Sequence, residues 1–280
     1  NEHMYTTLIS TADLAAHLDD PAFAIFDCCF KLEDAEAGRR SYYEAHVPGA
    51  AYAHLDYDLS GWKTGTNGRH PLPTPTLMNA TFGAWGITPD TQVAAYDDQG
   101  GGLGAARLWW MLRYMGHERV AVLDGGWQAW LAESRPTESG IIVRTPTTFH
   151  GQPHLEIRRD AGALEGMTVI DSRSLPRYRG YEEPLDPVAG HIPGARQYYY
   201  LSNLGPDGRM LPPDELRAKL LEVVGDAPPE QCVFYCGSGV SAAFNVLAME
   251  VAGLPGAKLY PGSWSEWCSD PNRPVATGTE

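Results

Sequence analysis

The feature that most constrains this chain is that it repeats itself. Four segments of the first half recur, in the same order, in the second. FAIFDCCF (Phe23–Phe30) resembles MTVIDSRS (Met167–Ser174). AHVPGA (Ala45–Ala50) resembles GHIPGA (Gly190–Ala195). VAAYDDQG (Val93–Gly100) resembles CVFYCGSG (Cys232–Gly239), and LDGGWQAW (Leu123–Trp130) resembles YPGSWSEW (Tyr260–Trp267). The separation drifts slowly from Asp27/Asp171 through Pro48/Pro193 and Asp97/Cys236 to Trp127/Trp264, as small loop insertions produce. One such match carries little weight; four collinear ones mark two related domains. The expected bounds are residues 5–142 and 157–280. A linker over 143–156 (VRTPTTFHGQPHLE) holds Pro146 and Pro153 and shows no helical period. Asn1 to Met4 read as an expression scar and are set aside.

Within each half, short buried strands alternate with helices. Ser10 caps a helix over LAAHL, AFAIFD reads as a buried strand, and DTQVAAYD and RVAVLDGG as two more. GAARLWWMLRYMG reads as a helix ending at Gly116. This alternation predicts an α/β fold with a parallel sheet flanked by helices in each half. Sites in open α/β sheets form at the C-terminal ends of strands, where both Cys236 and Asp97 fall.

Cys236 follows the strand-like CVFY and precedes a Gly-rich turn and an apolar helix. A thiol becomes a strong nucleophile as the thiolate. Unpaired N–H groups at a helix start favour an anion. Gly237 and Gly239 let successive backbone N–H groups converge on the sulfur, Ser238 and Ser241 add hydroxyl donors, and Val240 completes the loop. Three chemistries suit such a cysteine: sulfur transfer through a persulfide, phosphate-ester cleavage, and arsenate or disulfide reduction. The phosphate route needs an arginine closing the loop, and the sequence has Ala242 there. No resolving cysteine follows in the loop, although Cys232 is near in sequence. Cys28, Cys29 and Cys232 lie within strand-like runs and read as structural. The tryptophans at 109, 110, 127, 130, 264 and 267 read as packing, and Asp27 and Asp171 as structural strand ends.

Net charge excludes some partners. At −14, the chain is a poor match for a nucleic-acid backbone, although a local pocket can still take a small anion. No apolar run is long enough for a membrane span, and no charged-then-apolar leader opens the sequence. Five cysteines without a CxxC pair suggest neither a disulfide framework nor a zinc site. The expectation is therefore a cytoplasmic protein without metal or other cofactor.

The paired HVPGA and HIPGA turns, the CGSGVSA loop and the GGWQAW and GSWSEW closings resemble the tandem-domain rhodanese/sulfurtransferase family along nearly the whole chain. The resemblance implies two rhodanese-like domains, the first silent because Asp97 replaces the nucleophile, the second catalytic. It implies transfer of a sulfane sulfur through a Cys236 persulfide from 3-mercaptopyruvate or thiosulfate to cyanide or a thiol. A thioredoxin-like reductant is a candidate acceptor. Gly237-Ser238 matches the mercaptopyruvate branch, in which Ser238 relays protons. Arg177, in LPRYRG, matches the family's donor-binding arginine. The mercaptopyruvate branch has a second arginine where this chain has Leu185; Arg173 is out of place for that role, and Arg179 is close enough to substitute. Asp56, with Asp58 as its rival, and His70 match a relay contributed by the first domain. His46 and His191 occur in both halves and read as turn-stabilising. The alternative is a non-catalytic rhodanese-like module that binds a partner or senses oxidants.

Overall fold

A computed structural model describes residues 3–279. Residues 1, 2 and 280 lie outside it, among them the first two of the stretch set aside above. The chain forms two compact units. The first runs up to Gly61 and adds Pro73–His154 and Leu204–Met210. The second comprises Trp62–Leu72, Leu155–Asn203 and the chain from Leu211 onward.

In the first unit the order is β1 (Leu8–Ile9), α1 (Thr11–Ala15), β2 (Phe23–Asp27), α2 (Ala37–Glu44), β3 (Ala51–Tyr52), α3 (Pro75–Ala84), β4 (Gln92–Tyr96), α4 (Gly104–Tyr114), β5 (Val120–Leu123) and α5 (Gly126–Ala132). The sheet order is β1-β5-β4-β2-β3, all parallel. The second unit has β6 (Thr168–Asp171), α6 (Leu175–Arg179), β7 (Arg196–Gln197), α7 (Pro213–Val224), β8 (Cys232–Tyr235), α8 (Ala242–Val251), β9 (Lys258–Leu259) and α9 (Ser263–Trp267). Its parallel sheet is ordered β7-β6-β8-β9. An isolated parallel bridge from Arg158 to Leu259 takes the place that β1 holds beside β5. Strands β4, β5 and β8 are buried at every residue, as expected of parallel strands covered on both faces.

The duplication is visible bond by bond. Asp27 pairs in register with Tyr96, and Asp171 with Tyr235. The Val47 and Ile192 N–H groups donate to the Tyr96 and Tyr235 hydroxyls at 3.0 and 3.1 Å. Tyr42 and Tyr178 hydroxyls donate to the Ala50 and Ala195 carbonyls, both at 2.6 Å. His46 and His191 are buried and stack on Tyr42 and Tyr178, with ring centroids 4.3 and 3.8 Å apart. His46 Nδ1 and Nε2 lie 2.8 and 2.7 Å from Val47 O and Gly140 O, and His191 Nδ1 lies 2.6 Å from Tyr178 O.

By contacts the chain does not divide at a single cut. Residues 143–154 form no free linker: Thr147 N–H donates to Gly83 O, Gly151 N–H to Asn79 Oδ1 and His154 N–H to Tyr114 O, tying the segment to the first unit. Residues 204–210 also belong there, with Met210 N–H on Asp124 Oδ1 at 2.8 Å. Residues 62–72 belong to the second unit, where Arg69 N–H donates to Ser265 Oγ at 3.0 Å. Hydrogen bonds made far along the chain decide these placements, and no local pattern announces them.

Candidate active site

The site of the second unit starts where β8 ends. Cys236 is 2% exposed. Its backbone N–H donates to Ser263 Oγ at 3.1 Å, and its carbonyl accepts from Trp264 N–H at 2.9 Å. Gly239 N–H lies 3.1 Å from Cys236 Sγ. Gly239 holds φ +81°, a left-handed conformation that an L side chain resists, and a Cβ there would sit 2.0 Å from Pro261 O. The turn is therefore closed around the sulfur by a backbone that only glycine fits. Val240 is buried, Ser241 is half-buried, and α8 starts at Ala242, where a phosphate-clamping loop would carry arginine.

The first unit builds the same turn around a different group. Trp127 N–H donates to Asp97 O at 2.9 Å, as Trp264 does to Cys236. The Asp97 carboxylate accepts four backbone N–H groups: Gln99 and Gly101 on Oδ1, Leu103 and Ala105 on Oδ2, at 2.8 to 3.1 Å. Burial raises the Asp97 pKa, and those four donors pull it back. The same turn thus holds a carboxylate in one repeat and a thiol in the other.

Ser263 was not singled out from sequence. It is fully buried at φ +58°, unusual for a residue with a side chain. The equivalent position in the first repeat is Gly126, at φ +61°. The second repeat thus accepts strain where the first has glycine, and the serine hydroxyl takes the Cys236 N–H while donating to Tyr260 O at 2.9 Å.

The remaining predicted residues divide. His70 Nδ1 lies 2.8 Å from Ser238 Oγ, and both residues are buried. His70 reaches Ser238 from residues 62–72, which pack within the second unit. Asp56 belongs to the first unit, where its N–H donates to His54 Nδ1 at 3.1 Å. Asp58 Oδ2 accepts from His54 N–H at 2.8 Å and closes that same turn. Of the expected relay, the second unit assembles the His70–Ser238 pair.

Arg177, on α6, comes to the loop: its Nη2 and Nη1 lie 3.3 and 3.6 Å from where a side chain on Gly237 would begin. Arg177 Nη2 also pairs with Glu183 Oε2 at 3.2 Å. Glu183 Oε2 accepts the Leu185 and Asp186 N–H groups, both at 3.0 Å, and Glu183 Oε1 lies 3.3 Å from Arg173 Nη1. Arg173 is locked behind this cluster. It forks onto Asp171 at 2.7 and 3.0 Å, donates to Gly190 O at 2.6 Å and lies over the Trp264 ring at 5.1 Å. Burial opposes its charge, but the Asp171 carboxylate prevails and raises its pKa. Arg69, also missed in the sequence, completes the group through an ion pair with Asp186.

The other thiols differ in kind. Burial pushes Cys28 and Cys29 far above the ordinary thiol range, raises Cys268, and lifts Cys232 to about 11. Cys232 opens β8, so it lies about 13 Å along the strand from Cys236, beyond disulfide reach. A dithiol mechanism within this strand is excluded. Among the described residues no helix is long and apolar enough to cross a membrane.

Comparison with known proteins agrees with this duplicated geometry. The family model described as "Rhodanese-like domain" matches residues 10–133 and 155–270. The chain is 46% identical over 279 residues to a probable 3-mercaptopyruvate sulfurtransferase of Pseudomonas aeruginosa, covering 97% of this chain and 98% of that one. It is 40% identical over 282 residues to the putative thiosulfate sulfurtransferase SseB of Mycobacterium tuberculosis, covering 97% of each. Among solved structures, the 3-mercaptopyruvate sulfurtransferase of Leishmania major superposes with a TM-score of 0.84 at 31% identity, covering 95% of this chain and 75% of that one.

Proposed function

This chain belongs to the tandem-domain rhodanese/sulfurtransferase family, and on that premise we propose that it is a sulfurtransferase in which Cys236 carries the sulfur, with 3-mercaptopyruvate favoured over thiosulfate as donor. The observation that supports this most is the Gly239 N–H directed at Cys236 Sγ in a loop whose twin surrounds a carboxylate. The Gly239 N–H can donate to the sulfur before and after transfer.

In the first half-reaction the Cys236 thiolate attacks the sulfur of 3-mercaptopyruvate. The S–S bond forms as the C–S bond breaks, and the electron pair leaves on the pyruvate enolate, which takes a proton at C3. In the second, cyanide or a thiolate, including that of a thioredoxin-like reductant, attacks the outer sulfur and releases the Cys236 thiolate. Arg177 holds the donor's carboxylate. Ser238, coupled to His70, moves protons at the donor. Neutral Gly237 and Ser238 after the cysteine favour a monoanionic carboxylate donor over the thiosulfate dianion. Asp97 has no sulfur to carry, so the first repeat is catalytically silent.

The test is Cys236→Ser, assayed for pyruvate release from 3-mercaptopyruvate and thiocyanate release from thiosulfate with cyanide. Loss of both activities is expected, together with loss of the one-sulfur mass gain that the unsubstituted protein shows after exposure to donor. Undiminished turnover in the variant would sink the assignment. A Cys236-containing protein inert to every sulfane donor would point instead to a binding or oxidant-sensing module.

A further inference from the structure

The two repeats differ at the edge strand of each sheet, and the difference opens a cavity in the first. After the matching turns AHVPGA and GHIPGA, the first repeat has Ala51 and the second Arg196. The positions share a register: Ala51 pairs with Phe26, and Arg196 with Ile170. Arg196 reaches the end of α7, where its Nη1 donates to Val223 O and Val224 O at 2.7 and 3.0 Å beside the left-handed Gly225. In the first repeat α3 ends at Ala84, shortly before the left-handed Gly86, and its last carbonyls favour a cation equally. Ala51 cannot supply one. Arg144 does so from a later segment, its Nε donating to Trp85 O at 2.5 Å. Ala51 therefore leaves the space beside it unfilled, and a cavity of about 260 Å³ is bordered by Ala51, Trp85 and Arg144.

We propose that this cavity is a binding site for a small aromatic monocarboxylate, with Arg144 pairing with the carboxylate and tyrosine and tryptophan rings packing against its ring. The site lies wholly within the first unit and does not rest on the chemistry of Cys236.

Three features support the assignment. The walls are aromatic and fixed. Tyr42 and Tyr52 are held by their hydroxyls on Ala50 O and Cys29 O at 2.6 and 2.7 Å, and Trp85 packs on Phe26 with ring centroids 4.6 Å apart. Tyr43 stands exposed at the rim. The charge is positive where the chain as a whole is at −14: Arg39 and Arg144 line the cavity against one carboxylate, Asp58. Arg39 is answered by Glu36, 3.3 Å from its Nη1, and by Asp58, whose pKa it lowers against the effect of burial. Arg144 is half-buried, and among the described residues no carboxylate pairs with it; burial alone shifts its pKa, downward. Trp85 O engages its Nε, so the planar fork retains donors for a ligand. A carboxylate there would supply the missing counter-charge. Finally, the volume is just below the roughly 300–1,000 Å³ of ordinary small-molecule pockets, which suits one ring and one acidic group.

The experiment titrates benzoate, with neutral benzamide as its control, into the full chain by isothermal titration calorimetry. Benzoate is expected to bind at one site with a Kd of about 1 mM, and benzamide about tenfold more weakly. Ala51→Arg gives the first repeat the side chain that its twin carries and should abolish benzoate binding. Arg144→Gln should weaken it about tenfold, and Tyr43→Ala, at the exposed rim, about threefold. If Ala51→Arg does not fold, Arg144→Gln and Tyr43→Ala carry the comparison. No benzoate binding to the unsubstituted protein would overturn the proposal. So would binding that the substitutions leave intact, which would assign the anion to the Cys236 loop instead. Benzamide binding as tightly as benzoate would overturn the role of Arg144.

Discussion

The imidazole of His70 and the hydroxyl of Ser238 meet at 2.8 Å in a buried site, although 168 residues separate them along the chain. Their neighbours repeat the pattern, with Arg69 over Gly237. If the pair moves protons as a unit, the two side chains act through one another. His70→Ala and Ser238→Ala are each expected to lower kcat with 3-mercaptopyruvate about 100-fold, and the double variant no further. Additive losses in a double-mutant cycle would show that the two residues act separately.

Gly239 combines a left-handed backbone with a Cβ position 2.0 Å from Pro261 O. Pro261 O belongs to the backbone, so relief requires moving the chain. Gly239→Ala is expected to cost about 3 kcal/mol or more, through the left-handed penalty and the overlap together. Urea denaturation measures that cost. Slowed alkylation of Cys236 would show that the N–H directed at its sulfur has been displaced.

Ser263 offers a reversal of the usual ranking. Alanine keeps the positive-φ strain and loses the oxygen that accepts the Cys236 N–H. Glycine also loses the oxygen but removes the strain, as Gly126 does in the first repeat. Ser263→Ala should therefore destabilise by about 1–3 kcal/mol, and Ser263→Gly by about 1 kcal/mol less. Equal midpoints for the two variants would remove strain from the account of this position.

Asp27 predicts a pH dependence. Burial raises its pKa from the ordinary 3.8 to about 6, against N–H donation from Cys29 and O–H donation from Tyr96. The folded state therefore binds a proton that the unfolded state has released. Stability is highest below about pH 4 as far as this group is concerned, and falls as pH rises to about 6, by about 3 kcal/mol in all. Asp27→Asn should flatten that interval. Urea midpoints of both proteins across it provide the check, and parallel curves would contradict the assignment. The twin Asp171 shares its site with the Arg173 guanidinium, where the first repeat has Cys29.

Much of this architecture was legible because a duplicated chain compares itself with itself. The match of VAAYDDQG to CVFYCGSG located both loops. The structure gives them the same anchor, a tryptophan N–H on the carbonyl of Asp97 or Cys236. Alternating buried strands and capped helices located the sheets, with Ser10 Oγ accepting from Asp13 N–H as the cap predicts. Arg69 and Ser263 escaped notice for a physical reason. Arginine next to histidine in a polar stretch has the composition of any surface loop, and a serine before tryptophan has no visible φ. A signal for Ser263 did exist, since its register partner Gly126 hints at a left-handed backbone.

Local and periodic features are written in the residues alone: two α/β repeats, a thiol at a strand end, and glycines that let N–H groups face it. Tertiary structure decided which side chains surround that thiol. Residues 62–72 fold into the second unit and bring Arg69 and His70 to Gly237 and Ser238. Backbone periodicity follows from the chemistry of neighbouring residues, whereas a contact across 168 positions depends on the closure of the whole chain between them.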